Sequence, residues 1–437
     1  MSEMRVVRSG AAAEVRAGGG PRWAGAGRVR PLCRSGHRPC FRLLRTGRRF
    51  RLPVLWGFAV LLVLAASAVP VQPAHAGNGS TSPCALQGQG NTVNEGQNTD
   101  HTQFLDPMGV KNIGVVYVDF PDVAGAGEVA DYYNLLSPAA DWVWNASYGK
   151  TWLSMRPLVN RWVRMPSASN AYGTSSPTYQ QHTRYVTDAL RAAADAGADL
   201  ARYDLFYIVS TAHSQVSGSH TWYWTPSQPI VVKGTTIHWA VTFGTDMWHW
   251  GHKVADHETA HVFGAPDLYA FSGDQHRYVG GWDVMGYVAG AAPQYFGWLS
   301  WKFGWTEDGQ TVCVWQNRTQ NTATLNGVEY VGGTKLLVVR TGTTTAYVAE
   351  ARRKAHNDSG ACSSGVVIYR VDTSVPNGQG PIRVVPNPNA AAPPAGCGTL
   401  DMATWQPGQT FYDRAAGVQF TVRSADAYNS TVNAIKW

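Results

Sequence analysis

Two histidines four residues apart with a glutamate beside the first, His257-Glu258-Thr259-Ala260-His261, constrain this chain more tightly than anything else in its 437 residues. An α-helix returns to the same face after four residues, so a helix here sets both imidazoles side by side, where one ion can take both. Glu258 then lies on the side of the ion's open position. Gly264 follows His261 by three residues and Asp267 follows by three more. Glycine accepts the positive φ that ends a helix abruptly, and the chain can then swing back so that Asp267 faces the same ion. Two nitrogens and a carboxylate oxygen suit a single zinc, which takes such donors in a tetrahedral shell and keeps a fourth position for water. A helix histidine pair with satisfied hydrogen bonds and a loop aspartate capping a turn are the ordinary alternative. The fixed spacing of all four residues argues against it.

Hydrophobic residues make up 44% of the chain and charged ones 15%, enough apolar material for a full-sized core or more than one. The formal charge of +7 would point to an anionic partner if it were evenly spread. Instead, residues 1–51 carry 13 arginines against Glu3 and Glu14, a net of +11; residues 52–76 carry none, and −4 remains for the rest. No nucleic-acid partner is therefore expected. The basic start runs into an apolar stretch from Val54 to Val69 and then into Ala74-His75-Ala76, the order of a secretory signal with cleavage near Ala76. The stretch is shorter than the roughly 20 residues that span a bilayer as a helix, so the expected product is extracellular, without stable membrane association. Removal of the leader leaves Cys84, Cys313, Cys362 and Cys397, which in an exported chain suggest two disulfides with three possible pairings. Cys362 with Cys397 is the expected pair because both lie in one C-terminal segment. A functional alternative has Cys84 covering the metal as a latency thiolate.

Beyond the leader (1–76), residues 77–110 are rich in Gly, Asn, Ser, Thr and Gln toward their start and read as a flexible mature N-terminus or short pro-segment. The β-branched and aromatic run Ile113 to Phe120, ended by Pro121-Asp122, predicts a buried strand. Helix is expected over Pro138 to Asn145 and strand over Trp152 to Met165. Tyr185, Ala189, Ala192, Ala193 and Ala196 form a helical stripe ending at Gly197; Leu205 to Val209 reads as a central strand. Short strands are expected at Ile230-Val232 and His238-Thr242. After about Thr306 the pattern changes to short alternating strands at Lys335-Val339, Thr345-Glu350, Val366-Val371, Val418-Val422 and Val432-Trp437, broken by a Pro/Ala/Asn loop from Pro386 to Gly396. The expectation is an α+β chain: a catalytic domain over 111–305 with a mixed sheet and an active-site helix, then a β-rich domain over 306–437.

The segment His257 to Tyr269, H-E-T-A-H-V-F-G-A-P-D-L-Y, resembles the zinc signature of the immune inhibitor A-like family of secreted bacterial metallopeptidases, relatives of the metzincins with Asp in place of the third His. Further similarity lies in Val115-Val116-Tyr117-Val118-Asp119-Phe120-Pro121-Asp122, Ser147-Tyr148-Gly149-Lys150, Gly281-Trp282-Asp283-Val284-Met285, Trp301-Lys302-Phe303-Gly304-Trp305 and Gly365 to Asp372. The resemblance implies a zincin fold, one zinc on His257, His261 and Asp267, Glu258 as catalytic base, and endopeptidase activity on protein or peptide substrates. It gives Met285 the role of a methionine turn, an apolar floor beneath the ligands. Tyr287, two residues on, is a candidate transition-state donor. Calcium is possible but nothing in the sequence indicates it, and the oligomeric state stays open.

Trp298, Trp301 and Trp305 read as a helical core stripe, and His249 and His252 as structural or solvated residues. An extended peptide is expected to pair with a sheet edge near His238-Thr242. Two alternatives carry different chemistry: a zinc amidase or esterase on non-peptide substrates, and a secreted surface- or carbohydrate-binding protein acting through the β-rich C-terminal part.

Overall fold

The run from Ile113 to Phe120 forms the middle of the first sheet in the computed structural model, which describes residues 80–90, 92–225 and 229–437. The basic leader, the apolar signal stretch and the cleavage site expected near Ala76 lie outside the described residues. In chain order, the part that carries this sheet contains β1 (Gly109–Asp119), α1 (Val129–Leu136), α2 (Ala139–Ala146), β2 (Thr151–Pro157), β3 (Val163–Arg164) and α3 (Tyr179–Asp195). It continues with β4 (Leu205–Ser210), β5 (His220–Tyr223), β6 (Ile230–Val232), β7 (Thr235–Ile237), β8 (Trp239–Phe243), α4 (Met247–Trp250), α5 (His252–Val262) and α6 (Gly297–Lys302).

The main path through the first sheet is β2-β1-β4-β8-β5, with β3 pairing the end of β1. All neighbours on this path are parallel except β5, which runs antiparallel to β8 at the edge. Both faces are covered, which is why the central strands read as continuous apolar runs. Val116, Val118, Phe206 and Ile208 face α3, whose Tyr185, Val186, Ala189, Leu190 and Ala193 meet them. Val115, Tyr117, Tyr207 and Val209 face the other way, toward α2 and α5. α3 begins with a capping box between Thr178 and Gln181 and stops before Gly197 at φ +100°, as its sequence predicts.

Three expectations are corrected. The stretch from Trp152 to Met165 is two strands, because the chain leaves the sheet between β2 and β3. β8, at His238-Thr242, is not an edge: β5, unrecognised in the sequence because only four residues long, covers it. The three tryptophans do not share one helix, since α6 ends at Lys302 and Gly304 turns the chain at φ +72°; all three rings are nonetheless buried.

The later strands are β9 (Thr311–Val314), β10 (Thr319–Asn326), β11 (Leu336–Arg340), β12 (Thr345–Arg352), β13 (Gly365–Asp372), β14 (Ile382–Val384), β15 (Thr404–Trp405), β16 (Thr410–Asp413), β17 (Val418–Ala425) and β18 (Asn429–Lys436). One sheet runs β14-β13-β12-β11-β9 with β15 on β13, and a second runs β10-β18-β17-β16. Leu337, Val339, Ala349, Val366 and Ile368 point into the core between these sheets, against Leu325, Phe420, Val422 and Val432. The alternate residues Leu336, Val338, Val348, Val367 and Tyr369 point the other way and join the same core as α2, α5 and α6. The architecture is thus mixed α/β, with few helices, mostly strands and several sheets.

Residues 80–108, expected to be loose, pack against this body. Leu105 N donates to Val262 O at 3.0 Å and Asn94 N to Gly264 O at 3.3 Å. Trp298 Nε1 donates to Glu95 O at 2.7 Å, and Lys302 Nζ donates to Gly96 O at 2.9 Å. Polar composition hides this anchoring because these partners are backbone groups of the strap, while only a few of its side chains, Leu86, Phe104 and Leu105 among them, enter the core. Cys84 is disulfide-bonded to Cys313, and Cys362 to Cys397. The second pair is the expected one, while the first removes the latency-thiolate alternative for Cys84. Among the described residues, no helix is long and apolar enough to cross a membrane.

Candidate metal centre

α5 carries His257, Glu258 and His261 and ends in a glycine-dependent stop. Gly264 sits at φ +93°; its N donates to His261 O at 2.8 Å and Ala265 N to Ala260 O at 2.9 Å, the paired bonds of a left-handed helix termination. A side chain at Gly264 would also approach Thr99 and Phe104 of the N-terminal strap to 3.2–3.3 Å. The turn brings Asp267 back onto the helix. His257, His261 and Asp267 are all buried and form one group able to hold a metal ion.

Their ligand atoms form a nearly equilateral triangle. His257 Nε2 and His261 Nε2 are 3.2 Å apart, and each is 3.2 Å from Asp267 Oδ1. The far nitrogen of each ring faces a backbone carbonyl: His257 Nδ1 donates to Val284 O at 3.0 Å and His261 Nδ1 to Ala265 O at 2.8 Å. With the proton on Nδ1, each Nε2 presents a lone pair to the centre. Asp267 Oδ1 is buried with no hydrogen-bond partner. Two lone pairs and a carboxylate oxygen converging in a dry space repel one another unless a cation lies between them.

Electrostatics follow from this crowding. Burial opposes ionisation of Asp267, but the His261 and His257 rings outweigh it and hold the carboxyl far below the usual range. Burial likewise pushes His261 down, and Asp267 with Glu258 overcomes it to hold the ring at about 9, so either a proton on Nε2 or a cation in its place relieves the crowding. Burial, with the charges of Glu258 and Asp267, raises the phenol of Tyr223 well above its ordinary value. Tyr269 is raised as well, by burial first and then by Asp267 and Glu258.

Glu258 lies beside the triangle on the same helix. Its Oε2 and its backbone oxygen are each 2.7 Å from the Thr221 hydroxyl of β5. The next inward-facing residue of β5, Tyr223, donates its hydroxyl to His261 O at 2.9 Å. Tyr269 stacks its ring on His257, with centroids 6.2 Å apart. None of these three residues was singled out from sequence; the alternation Thr221, Tyr223 along an edge strand was the available signal.

Met285 is fully buried in the core that includes α5. Its N donates to Asp283 Oδ1 at 2.8 Å, its O accepts from Leu268 N at 2.9 Å, and the neighbouring Val284 O holds His257. Asp283 Oδ2 accepts from Phe296 N at 2.6 Å, closing the loop, and burial pushes its carboxyl up to about 7. Tyr287 stacks on His276 with centroids 3.8 Å apart. His252 donates through Nδ1 to the buried Asp256 at 2.8 Å, a structural pairing. No family model matches the chain, and no curated protein matches it.

Proposed function

We propose that this chain is a secreted zinc-dependent endopeptidase of the immune inhibitor A-like kind, with a metzincin-like body around α5. The carrying observation is the 3.2 Å triangle of His257, His261 and Asp267 with Glu258 beside it. A tetrahedral zinc shell with bonds of about 2.0–2.1 Å has edges of about 3.3 Å. The three atoms match one face of such a shell and leave a fourth position open. Two disulfides among the described residues suit an exported protein.

Zinc bound there supplies Lewis acidity, lowering the pKa of a water molecule and polarising the scissile carbonyl. Glu258, its Oε2 engaged by Thr221, takes the water's proton and delivers it to the departing amine nitrogen. β5 is the sheet edge beside α5, so an extended peptide would add to it as a further strand and present its carbonyl to the open position.

The test compares purified protein with its Glu258→Gln variant for zinc content and for casein cleavage mapped by mass spectrometry. Equal zinc and a fall of about 10²–10⁴-fold in turnover are expected, as is loss of activity in a strong chelator. Undiminished cleavage by the variant, or in the chelator, would sink the proposal. Turnover of esters or small amides with no cut in any protein would favour the non-peptide hydrolase.

A further inference from the structure

We infer that Asn377, delivered by the β-rich C-terminal part, is a positioning residue for the metal ligand Asp267. The inference rests on the metal site proposed above. The turn from Thr373 to Pro381 joins β13 to β14 and reaches across to the ligand loop. There, Asn377 Nδ2 donates to Asp267 Oδ2 at 3.4 Å. The other oxygen, Oδ1, is the one 3.2 Å from both imidazoles. The two oxygens of Asp267 therefore have separate duties, one toward the ion and one toward the amide. Only the amide nitrogen can face a carboxylate, because the amide oxygen has no proton to give. With Oδ2 engaged, the carboxylate would offer an ion Oδ1 alone; freed, it can rotate about its last torsion and offer either oxygen or both.

The turn is held in place by a close contact that only glycine allows. Phe271 N donates to Gly378 O at 3.1 Å. Gly378 sits at φ +72°, and a β-carbon there would lie 2.2 Å from the Phe271 ring. Phe271 is four residues past Asp267, so this clasp ties the turn to the ligand loop itself. Polar partners outside the ligand set orient ligands and typically change metal affinity by about 10–100-fold when removed.

The test uses the full zinc-loaded protein and follows zinc transfer to a chromogenic chelator, with affinity measured by competition. N377A and N377L, which keeps the branching but removes the amide, should each lose zinc affinity by about 10–100-fold. G378A, which drives the turn off Phe271, should behave alike. Q379A, altering an exposed neighbour in the same turn, should match the parent. Thermal melts of the metal-free proteins check the fold, and either Asn377 variant that keeps the parent melt suffices. Zinc affinity within twofold of the parent in such a variant would overturn the inference while leaving the metal site intact. If D267A also held zinc as the parent does, the site reading itself would fall and the inference with it.

Discussion

Thr221 sets its hydroxyl 2.7 Å from Glu258 Oε2 and equally close to the backbone oxygen of the same residue. One side chain of the edge strand thus fixes the proposed base relative to both its helix and the sheet edge. Thr221→Val keeps the volume and removes the hydroxyl. A hydrogen bond to a charged group contributes roughly 1.5–3 kcal/mol, so kcat should fall about tenfold or more, with zinc content and KM little changed. Loss of zinc alongside turnover would show a merely structural role.

His182, on α3, is buried against the sheet with Nε2 2.8 Å from the Thr242 hydroxyl. Burial first, then His220, pulls its pKa from 6.5 to about 3. The folded chain therefore keeps this ring neutral where the unfolded chain protonates it. Its stability contribution is complete above pH 6.5 and is lost progressively from there toward pH 3, at up to about 1.4 kcal/mol per unit. His182→Gln should flatten that acid limb. Urea unfolding at pH 7 and at pH 4.5 checks this, and equal pH slopes for the two proteins would contradict it.

Arg352 is wholly buried, with Nη1 on Glu350 at 2.9 Å, Nη2 2.6 Å from Asp358, and Nη2 also on the carbonyls of Trp282 and Gln294. Arg352→Met leaves three carboxylates, Glu329, Glu350 and Asp358, without their counter-charge and frees both ends of the loop bearing Met285. A destabilisation of about 3–5 kcal/mol is expected. Removing the exposed partner in the Lys233–Asp195 pair should change stability by less than about 1 kcal/mol. Equal shifts in unfolding midpoint for the two variants would refute the contrast.

The disulfides close loops of very different length, 229 residues apart for Cys84–Cys313 and 35 for Cys362–Cys397. Chain-entropy reasoning gives about 5 and about 4 kcal/mol respectively. Replacing Cys84 and Cys313 by Ser should therefore lower the melting temperature more, and should also expose residues 80–108 to protease. Intact resistance of that segment after the replacement would show that its backbone anchors alone suffice.

The cluster of His257, His261 and Asp267 was legible because it is local: eleven residues and one glycine turn carry it. β1, α3 and β4 were legible for the same reason, each announcing its burial through period or composition. What sequence hid was non-local. β5 is too short and too polar to stand out, yet it supplies Thr221 and Tyr223. β10, reading Thr319 to Asn326 with only Ala323 and Leu325 apolar, is placed by its pairing with β18 and by those two buried side chains. Asn377 lies 110 residues from Asp267, and nothing along the chain announces that the two meet. The strap over residues 80–108 reads as loose because many of its anchors are main-chain groups, to which composition is blind, and its few apolar anchors, Leu86, Phe104 and Leu105, are too scattered to show a period.

Neighbouring residues of β11 and β13 serve opposite cores, Leu336 one and Leu337 the other, Val367 one and Val366 the other. A cut near residue 306 would strip the α5 side of its apolar cover and leave greasy surface in water, inviting self-association. The later sheets are thus poor candidates for a detachable appendage: shuffling them onto another protein, or trimming them to shrink this one, would have to rebuild a shared wall.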